Sequence, residues 1–459
     1  MKKYDIAIIG AGPGGYVAAI RGAQLGYKVL VIDKEKLGGS CLNWGCIPTK
    51  TMLITAKHYK DILRSEEFGI VGVNKETIKV DFSKLLERKD KVVDKLISGI
   101  SMLFKKNKVD FINGQAMNIQ KNSLEVNNEE IEFDHLIIGT GARPKYDDIE
   151  GLQGFIDNGK IINSKQVMNL TQIPAKLVIL GNNTYAIEYA TLFNAIGSDV
   201  YLIHEGDRIL PHLEKEMATI LERQLKKDGV KIISKARLKS FSDEAINIAV
   251  KEVEESHSAD RFMIFMGLQA NIEGFENLGL DLDPKGFIKT NEKMETNLQN
   301  VYAIGDVNGK IPLAHVASAE GIVAVENISG IDRKLNYNLI PIGVYSFPEL
   351  VSVGLTEEQA KEQGLAVKVS KFPLLANGMA IAEDETAGFV KLISENQYGE
   401  IIGAQIVSEK ATEMISELVS IMHIEGTIFD LSRSVHPHPS LSETIGEAAY
   451  GAVDQPIHI

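Results

Sequence analysis

The sequence predicts an α/β protein with two Rossmann-like dinucleotide-binding domains and a C-terminal α+β domain. An apolar run at Asp5–Ile9 leads into a glycine-rich turn and an apolar helix, which is the pattern of a βαβ unit with a buried parallel strand. The same pattern begins again at Lys176–Leu180. From about Asn336 onwards, short strands alternate with helices, which is typical of a separate α+β domain.

The composition is that of a globular protein with about three domains. The chain has 459 residues, of which 44% are hydrophobic, and this is ample for several cores. The net charge of −13 argues against a nucleic-acid partner and against an anionic membrane surface. No apolar run reaches ~18 residues, so no membrane span is expected. Because a strand begins at Tyr4, we expect no targeting segment and a cytoplasmic location.

The glycines of the first unit, Gly10, Gly12 and Gly15, are spaced as G-x-G-x-x-G. The first makes the turn, the second lets the backbone approach a pyrophosphate, and the third lets the helix pack on the strand. The next strand, Lys28–Ile32, leads to Asp33, whose carboxylate can accept a hydrogen bond from a ribose hydroxyl. The strand, the turn, the helix and the acid all occur in the right order. We therefore predict a dinucleotide site and not an accidental glycine turn.

The second unit departs from this pattern at its glycines. Its fingerprint positions hold Gly181, Asn183 and Ala186. Alanine is permitted at the third position, but the side chain of Asn183 would occupy the space through which a pyrophosphate approaches the backbone. We predict a second Rossmann-like domain and leave open how well it binds a nucleotide.

The acid of the second unit is displaced as well. The interval that separates Gly10 from Asp33 leads from Gly181 to His204. Glu205 is one residue later, and one residue changes the face of a strand, although Glu205 could still reach a ribose from the strand end. No arginine occurs at 204–206 to receive a 2′-phosphate, so NAD is favoured over NADP.

The two cysteines of the chain are Cys41 and Cys46. Five residues of regular helix rise about 7.5 Å, which exceeds the ~7 Å limit on the Cα separation of a disulfide. If the two cysteines pair, the backbone between them is therefore not regular helix, and Gly45 can supply the bend. Pro48 suits the first turn of a helix, which places Cys46 at a helix N-terminus, where a thiolate is favoured.

Lys50 follows Cys46 by four residues and adds positive charge on the same helix face. Two cysteines in this setting, beside a nucleotide-binding fold, predict redox chemistry. A metal site, a structural disulfide and a chance pair are the alternatives.

Other elements follow from periodicity and turn residues. Apolar side chains at helical spacing predict a helix over Asp81–Lys106, with Asp81 as its cap. Alternating segments predict strands at Asp110–Gly114, Ser123–Val126 and Ile131–Ile138, with a turn at Asn127–Asn128. In the C-terminal domain we expect strands at Ile342–Phe347, Ala366–Lys371, Phe389–Ile393 and Ile401–Ile406 and helices at Glu357–Glu362 and Lys410–His423.

The segment GGSCLNWGCIPTK, residues 38–50, resembles the active-site segment of the flavin-dependent disulfide reductases. These are the class I pyridine nucleotide-disulfide oxidoreductases, and the similarity is greatest to the dihydrolipoamide dehydrogenases. It extends over nearly the whole chain. The resemblance implies a redox disulfide between Cys41, which meets the substrate, and Cys46, which lies nearer the flavin.

The resemblance also implies FAD as a cofactor. Further flavin contacts are expected after the third strand, at Gly114–Ala116, after the fifth, at Thr140–Gly141, and in the motif that ends at Asp306. The expected FAD-binding residues are Gly10, Gly12, Gly15, Asp33, Gly39, Lys50, Ala116, Thr140, Gly141, Asp306, Ala314 and His315. The helix that opens at Ala314 would stabilise negative charge on the reduced ring. NAD is implied as the electron acceptor, with Gly181 and Glu205 as its contacts, although Phe265–Gln269 lacks the usual ATGR-like segment.

The same resemblance places Glu188 against Lys50, beside the flavin. The alternative is that Glu188 is a solvated charge on the helix of the second unit. No metal site is expected.

The segment HPHPSLSE, residues 436–443, resembles the acid–base segment of the family. A dithiol substrate must lose a proton before its thiolate attacks a disulfide, and imidazole titrates near the working pH. His438 aligns with the catalytic histidine and Glu443 with the carboxylate that orients it. The pattern Ser440-x-x-Glu443 is also a capping box, and the two roles can coexist. His436 is expected to be a supporting residue.

The family resemblance implies a homodimer in which each site uses both subunits. It divides the chain into an FAD-binding domain (1–147 and 271–335), an NAD-binding-like domain (148–270) and a dimerisation domain (336–459). The expected function is oxidation of dihydrolipoyl groups through the disulfide and FAD, with electrons passed to NAD⁺. The partner would be dihydrolipoamide or a lipoyl-bearing protein of a 2-oxo-acid dehydrogenase or the glycine cleavage system.

The departures in the second unit leave one main alternative. The disulfide chemistry would be kept, while the electrons would leave to a redox protein, such as ferredoxin or flavodoxin, or to a quinone. A non-catalytic flavoprotein that docks in a 2-oxo-acid dehydrogenase complex is a third hypothesis, and it predicts no flavin reduction by a dithiol.

Overall fold

The computed structural model describes residues 2–146, 148–242 and 244–459. In its first part the strands are β1 (Lys2–Ile9), β2 (Val29–Asp33), β3 (Asp110–Asn113), β4 (Ser123–Val126), β5 (Glu129–Ile138) and β6 (Ala142–Pro144). The helices are α1 (Pro13–Gln24), α2 (Gly39–Asn43), α3 (Cys46–Leu63) and α4 (Phe82–Asn107).

The first sheet is built on β1, which pairs in parallel with β2 on one side and β5 on the other. Its order continues from β2 to β3, and β4 adds an antiparallel edge to β5. The four residues of β2 before Asp33 are all buried, as expected for a parallel strand covered on both faces. The sequence-based strands are confirmed, with differences of a few residues at their ends.

The long helix α4 lies where the apolar periodicity predicted it. The carboxylate of Asp81 accepts a hydrogen bond from the Lys84 N–H at 3.1 Å, so the predicted cap is present. Leu85, Val93 and Ile100 are buried on one face, and this stripe packs the helix against the rest of the domain.

The second unit comprises helices α5 (Leu152–Asp157), α6 (Ser164–Val167), α7 (Thr184–Ala195) and α8 (Lys215–Lys227). Its strands are β7 (Lys176–Leu180), β8 (Asp199–Ile203), β9 (Lys231–Ile233), β10 (Ala236–Ser242), β11 (Ala245–Val250), β12 (Val253–Ser258), β13 (Arg261–Ile264) and β14 (Leu268–Ala270). A parallel sheet runs in the order β13-β7-β8-β9, and β10 to β12 form an antiparallel sheet. The predicted second Rossmann-like unit is therefore present.

The chain then returns to the first sheet through β15 (Val301–Ala303), which pairs in parallel with β5. Helix α9 (Ala314–Ile328) follows and packs against α1. Because carboxyl ends of parallel strands meet at one edge of a sheet, the residues after β15 lie beside the glycine turn that follows β1.

The C-terminal part has strands β16 (Ile342–Val344), β17 (Glu349–Gly354), β18 (Val367–Pro373), β19 (Phe389–Glu395) and β20 (Ile401–Ser408). Its helices are α10 (Glu357–Glu362), α11 (Gly378–Ala382), α12 (Ala411–His423), α13 (Ile428–Ser432) and α14 (Glu443–Val453). The strands form one antiparallel sheet in the order β16-β17-β20-β19-β18. The predicted α+β architecture is confirmed.

One strand prediction in this domain is wrong in its extent. The strand expected at Ile342–Phe347 ends at Val344, and the chain turns back into β17, which was not predicted. The turn uses residues 345–348, and Val344 pairs with Leu350 across it. Pro348 removes a backbone donor, which favours a turn over a continuous ladder.

Across 2–146, 148–242 and 244–459, no helix is both long and apolar enough to cross a bilayer. In the same ranges, no three His, Cys, Asp or Glu side chains are grouped so that they could hold a metal ion. The domain boundary expected at residue 147 falls outside the described residues.

Candidate active site

Cys41 lies in the short helix α2, and Cys46 is the first residue of α3. The backbone N–H groups of Trp44 and Gly45 both donate to the Ser40 carbonyl oxygen, at 3.0 and 2.7 Å, and end α2. A Cβ on Gly45 would lie 2.9 Å from this oxygen, so a larger residue would push the turn open. The backbone between the cysteines is therefore not regular helix, as a disulfide between them would require.

The two half-buried cysteines are both thiols and interact with each other. The hydrogen bond from Cys41 lowers the pKa of Cys46, and the nearby Lys50 ammonium lowers it further, while burial opposes both. The same hydrogen bond and burial raise the pKa of Cys41. The shifts have opposite signs, and the thiolate is favoured at Cys46, the first residue of α3, where a helix N-terminus also favours negative charge.

The ammonium of Lys50 forms an ion pair with Glu188 of α7, at 2.6 Å between Nζ and Oε2. The other carboxylate oxygen of Glu188 accepts a hydrogen bond from the Tyr345 N–H at 3.2 Å, and Lys50 Nζ lies 4.5 Å from the centre of the Tyr345 ring. Burial opposes the charge of Lys50, but Glu188 and Cys46 outweigh it and raise the pKa of Lys50. Glu188 is only 2% exposed, so the alternative of a solvated helix charge is wrong.

The glycine turn of the first unit is tightly packed at two of its three positions. Gly10 has a φ of +109°, and a Cβ on it would lie 2.1 Å from the Gly139 carbonyl oxygen. A Cβ on Gly15 would lie 1.8 Å from the Gly10 carbonyl oxygen. At Gly12 the nearest atom to a Cβ would be 3.9 Å away, on Gly39. The protein itself therefore leaves open space above Gly12.

Asp33 and Gly39 lie beside this turn. One carboxylate oxygen of Asp33 accepts a hydrogen bond from the Ala11 N–H at 2.6 Å, and the other accepts one from the Glu35 N–H at 2.8 Å. Gly39 has a φ of +57°, and a Cβ on it would lie 2.6 Å from Gly12 Cα. The segment that carries the cysteines is thus held against the turn.

Thr140 and Gly141 follow β5 and are fixed by Asn271. The Thr140 hydroxyl donates to the Asn271 carbonyl oxygen at 2.6 Å, and the Asn271 side chain donates back to the Thr140 carbonyl oxygen at 2.9 Å. The Asn271 N–H also donates to the Gly141 carbonyl oxygen at 3.0 Å. Ala116, which follows β3, packs against the core of the same sheet.

Asp306 lies in a 3₁₀ turn directly after β15. Burial and the neighbouring Glu320 carboxylate raise the pKa of Asp306 to about 6. Glu320 is itself buried and accepts hydrogen bonds from the Gly305 N–H, the Asn308 amide and the Tyr337 hydroxyl. A hydroxyl donor from a ligand would stabilise the charged form of Asp306.

Ala314 is the first residue of α9, and no side chain caps this helix N-terminus. His315 points its Nε2 at the Pro341 carbonyl oxygen, 3.0 Å away, which joins α9 to the C-terminal domain.

The turn of the second unit is filled by its own side chains. The Asn183 Oδ1 atom accepts a hydrogen bond from the Ala186 N–H at 3.1 Å, and its Nδ2 donates to the Phe265 carbonyl oxygen at 2.9 Å. His204 is buried, and its Nε2 lies 3.2 Å from the Ser234 hydroxyl. Glu205 is exposed at the strand end.

His438 and Glu443 form a pair, with 2.8 Å between Nδ1 and Oε1. The other Glu443 oxygen accepts from the Ser440 N–H at 2.8 Å. Burial opposes ionisation of Glu443, but these hydrogen bonds outweigh it and lower its pKa. The expected capping box is wrong in one respect, because α14 begins at Glu443 with Ser442 as its cap residue. His436 pairs with Glu417 at 2.9 Å.

The structure brings most of the candidate residues together, but not all of them. The side chain of His438 is 81% exposed, and within the described part of a single chain it hydrogen-bonds to neither Cys41 nor Cys46.

The family profile of the pyridine nucleotide-disulphide oxidoreductases matches residues 4–321, and that of their dimerisation domain matches residues 340–449. The chain belongs to this family. Dihydrolipoyl dehydrogenases from Bacillus subtilis and Staphylococcus aureus are 42% and 39% identical to it, each over 99% of this chain and 97% of the relative. The family predicted from the sequence is thereby confirmed.

Solved structures agree with the fold. The HOCl-induced flavoprotein disulfide reductase RclA from Escherichia coli superposes with a TM-score of 0.85 at 27% identity, over 97% of this chain and 99% of the other. LpdA from Mycobacterium tuberculosis superposes with a TM-score of 0.89 at 23% identity, over 98% of this chain and 99% of the other. The latter likeness concerns the fold alone.

This oxidoreductase family uses FAD and NAD(H), and the first unit fits FAD. Open space lies above Gly12, where a pyrophosphate must approach the backbone. Burial and the Glu320 carboxylate raise the pKa of Asp306 to about 6, and a ligand hydroxyl that donates to it would stabilise its charged form. A surface cleft begins directly after Asp33, and it is lined by Lys34, Glu35, Lys36, Leu37, Ile97, Phe111 and Asn113.

The second unit does not fit a pyrophosphate in the same way. In this oxidoreductase the residue equivalent to Gly12 is Asn183. Its side-chain oxygen accepts a hydrogen bond from the Ala186 N–H at the N-terminus of α7, where a pyrophosphate would otherwise bind.

Some residues of the site were missed by the sequence analysis. Tyr345 contacts both members of the Lys50–Glu188 pair, and Asn271 fixes the Thr140 turn. Neither belongs to a short motif, so only the folded chain shows them. Tyr185 could have been found from the sequence, because it occupies the position of the second fingerprint that is equivalent to Gly14.

Proposed function

We propose that this chain is an FAD-dependent dihydrolipoyl dehydrogenase, which oxidises dihydrolipoyl groups through a Cys41–Cys46 disulfide and passes the electrons to NAD⁺. The observation that carries this function is the polarised pair of cysteines beside the buried Lys50–Glu188 ion pair. The full-length identity to dihydrolipoyl dehydrogenases supports the substrate.

In the first step, a dihydrolipoyl thiol loses its proton to Nε2 of His438. The substrate thiolate attacks Sγ of Cys41, the Cys41–Cys46 bond breaks, and Cys46 leaves as a thiolate. His438 passes the first proton to Cys41 as Cys41 leaves and takes the proton of the second substrate thiol. The resulting thiolate attacks the substrate sulfur of the mixed disulfide, and the bond between that sulfur and Sγ of Cys41 breaks. Oxidised lipoyl disulfide leaves, and the two electrons remain on the Cys41–Cys46 pair.

The protein groups around this exchange have separate tasks. Glu443 holds Nδ1 of His438 and so leaves Nε2 as the base. Lys50 keeps a positive charge close to Cys46 and favours its thiolate. When bound, FAD supplies a two-electron acceptor next to Cys46.

The residues proposed to hold FAD are those of the first unit and its return strand. The turn at Gly10, Gly12 and Gly15 would take the pyrophosphate, and Asp33 the ribose. Asp306 would accept a ribityl hydroxyl, and the N-terminus of α9 would face the ring. The remaining proposed contacts are Gly39, Lys50, Ala116, Thr140, Gly141, Ala314 and His315. The nucleotide contacts proposed in the second unit are Gly181 and Glu205.

We propose a homodimer in which His438 serves the cysteines of the second copy. The match of residues 340–449 to a dimerisation domain and the exposure of His438 support this arrangement. The partner would be dihydrolipoamide or a lipoyl-bearing protein of a 2-oxo-acid dehydrogenase or glycine cleavage system, in the cytoplasm. The proposed domain limits are 1–147 with 271–335, 148–270 and 336–459.

An anaerobic experiment tests the function in two steps. Dihydrolipoamide is added to the purified flavoprotein while the flavin absorbance is recorded, and NAD⁺ is added afterwards. Flavin reduction followed by prompt reoxidation with formation of NADH is the expected result. If dihydrolipoamide leaves the flavin oxidised, the proposed function is wrong.

A second candidate keeps the dithiol reaction and changes the electron acceptor. The reduced flavoprotein would donate electrons to a redox protein or a quinone. The position of the Asn183 side chain favours this candidate. It predicts reduction by dihydrolipoamide without reoxidation by NAD⁺.

A further inference from the structure

The two nucleotide-binding turns of this chain can be compared position by position. Gly12 and Asn183 are the residues that precede helices α1 and α7, and their backbones are nearly the same, with φ and ψ of −68° and −176° against −88° and 177°. Neither conformation requires glycine. The difference between the two turns therefore lies in the space beyond the backbone and not in the backbone itself.

In the first turn this space is open. No side chain caps α1, and a Cβ on Gly12 would have no atom nearer than 3.9 Å. The first backbone N–H groups of a helix have no partner within the helix, so those of α1 can receive an anion.

In the second turn the same space is occupied. The Asn183 side chain accepts the Ala186 N–H at 3.1 Å, and its amide group is anchored to the Phe265 carbonyl oxygen at 2.9 Å. Asn is among the best residues for capping a helix in this way. A pyrophosphate at this position would have to displace a side chain held at both ends.

Asn182 attaches the second turn to the loop that follows β8. The Asn182 carbonyl oxygen accepts the Leu210 N–H at 2.7 Å, and its side chain donates to the Arg208 carbonyl oxygen at 3.1 Å. The equivalent residue of the first turn is Ala11, whose N–H donates to Asp33. The Ala11 carbonyl oxygen likewise accepts a hydrogen bond from the loop after β2, from the Gly38 N–H at 2.9 Å. The two turns therefore share this backbone contact. They differ in that the Asn182 side chain is bound to Arg208, whereas the Ala11 N–H is bound to the Asp33 carboxylate.

The two units also differ at the residue that would contact a ribose. His204 occupies the position equivalent to Asp33, is 5% exposed, and lies next to the Ser234 hydroxyl. Burial lowers its pKa. The imidazole offers no carboxylate to a ribose hydroxyl.

An aromatic side chain follows the second turn directly, in the first turn of α7. Tyr185 takes the place that Gly14 has in the first unit, and its ring stacks on Phe265 with 6.3 Å between centroids. Its hydroxyl donates to the Pro312 carbonyl oxygen at 3.2 Å, just before α9. Tyr185 therefore bridges the second turn and the segment that leads into the proposed flavin site.

We infer that Asn183 is a specificity-determining residue that occupies the pyrophosphate position of the second unit and lowers the affinity of this chain for NAD(H). The inference rests on the proposed function only in naming NAD⁺ as the acceptor of the family reaction. It assigns the loss of affinity to the capping side chain and to the replacement of the ribose-binding acid by His204.

The test is calorimetric titration of the oxidised holoenzyme with NAD⁺. The variant Asn183→Gly with His204→Glu reopens the space and restores the acid, and glycine is itself acceptable at an N-cap. We expect it to bind NAD⁺ at least about tenfold more tightly than the wild type, since charge-assisted hydrogen bonds to the pyrophosphate are regained. Equal affinities would overturn the inference.

A matched control separates capping from residue size. In the variant Asn183→Ser the side chain is smaller than asparagine, but serine also caps helices through its side-chain oxygen. We expect it to leave the affinity for NAD⁺ within about threefold of the wild type. The comparison uses the single substitution Asn183→Gly, without the change at His204. If Asn183→Ser tightens binding as much as this single substitution does, occupation of the Ala186 N–H is not the cause, and the inference is wrong.

The reciprocal change in the first unit does not depend on the folding of the second. Gly12→Asn places the same capping side chain in the open turn, and we expect the purified protein to lose most of its FAD, measured as the ratio of flavin to protein. Full retention of FAD would show that a capping asparagine is compatible with a bound pyrophosphate, which contradicts the inference.

Reduction of the flavin by dihydrolipoamide is recorded for the wild type and the Asn183 variants. Failure of that reaction would count against the proposed function, while the comparison of NAD⁺ affinities would still stand. The two ideas are therefore tested separately.

Discussion

Lys50 and Glu188 form a buried ion pair, 2.6 Å between Nζ and Oε2, that joins the cysteine helix α3 to helix α7 of the second unit. Their side chains are 26% and 3% exposed. The pair links two domains at the point where the polarised Cys46 lies, so it affects both the stability of the fold and the charge of the site.

Replacing Glu188 by alanine should destabilise the protein strongly. The Lys50 ammonium would remain without its partner in a mostly buried position, and breaking such pairs costs about 3–5 kcal/mol. Urea unfolding followed by circular dichroism measures the change. Glu87→Ala, an exposed carboxylate on α4, is the control and should change stability by less than about 0.5 kcal/mol. Equal effects of the two substitutions would contradict this account of the pair.

Replacing Lys50 by methionine should raise the pKa of Cys46. The Lys50 charge favours the Cys46 thiolate, whereas Glu188 disfavours it. Of these two charges, removing the cation therefore leaves only that of Glu188, which raises the pKa of Cys46. Less thiolate should therefore be present at neutral pH. A pH titration of the reduced dithiol, followed by the ultraviolet absorbance of the thiolate, should show a higher midpoint than the wild type. Lys50→Arg keeps the charge and should keep the midpoint closer to that of the wild type.

The sequence was most informative where one short segment sets the backbone. The turn at Gly10 and the break at Gly45 were predicted because glycine at these places has a steric reason, and the structure shows that reason in close carbonyl contacts. The cap at Asp81 was predicted for a similar local reason.

Contacts between distant segments were harder to predict. Tyr345 reaches Glu188 only because the C-terminal domain packs on α7, and no periodicity records that packing. The role of Asn183 was predicted in part, since its conflict with a pyrophosphate is visible in the fingerprint. Its hydrogen bonds to Ala186 and Phe265 depend on the position of β13 and required the folded chain.

Asp306 should destabilise the FAD-free protein at neutral pH. Its folded pKa of about 6 lies above the ~3.9 of an unfolded aspartate. A raised pKa contributes stability that is fully present below about pH 4 and is lost as the pH rises through about 6. Asp306→Asn should therefore stabilise the FAD-free protein more at pH 7 than at pH 4, by up to about 2–3 kcal/mol.

Thermal unfolding of the FAD-free protein at the two pH values tests this prediction. Asp94→Asn, on the exposed face of α4, is the control and should show no such difference. An Asp306→Asn effect that is the same at both pH values would mean that the carboxylate is not held at a raised pKa. The same variant should bind FAD more weakly, because the ribityl acceptor is lost.

His438 should be required for oxidation of dihydrolipoamide because it accepts the substrate proton. A positioned base contributes about 10²–10⁴-fold to such a step, so His438→Gln should slow flavin reduction by dihydrolipoamide by that factor in stopped-flow measurements. Glu443→Gln should slow it less, since the imidazole remains but loses its orienting carboxylate.

The chain offers a matched control in His458, whose Nδ1 lies 2.8 Å from Glu447 Oε1 in the same geometry and is also exposed. His458→Gln should leave the rate unchanged. If both histidine variants slow the reaction equally, the effect comes from the C-terminal domain as a whole, and His438 is not the base.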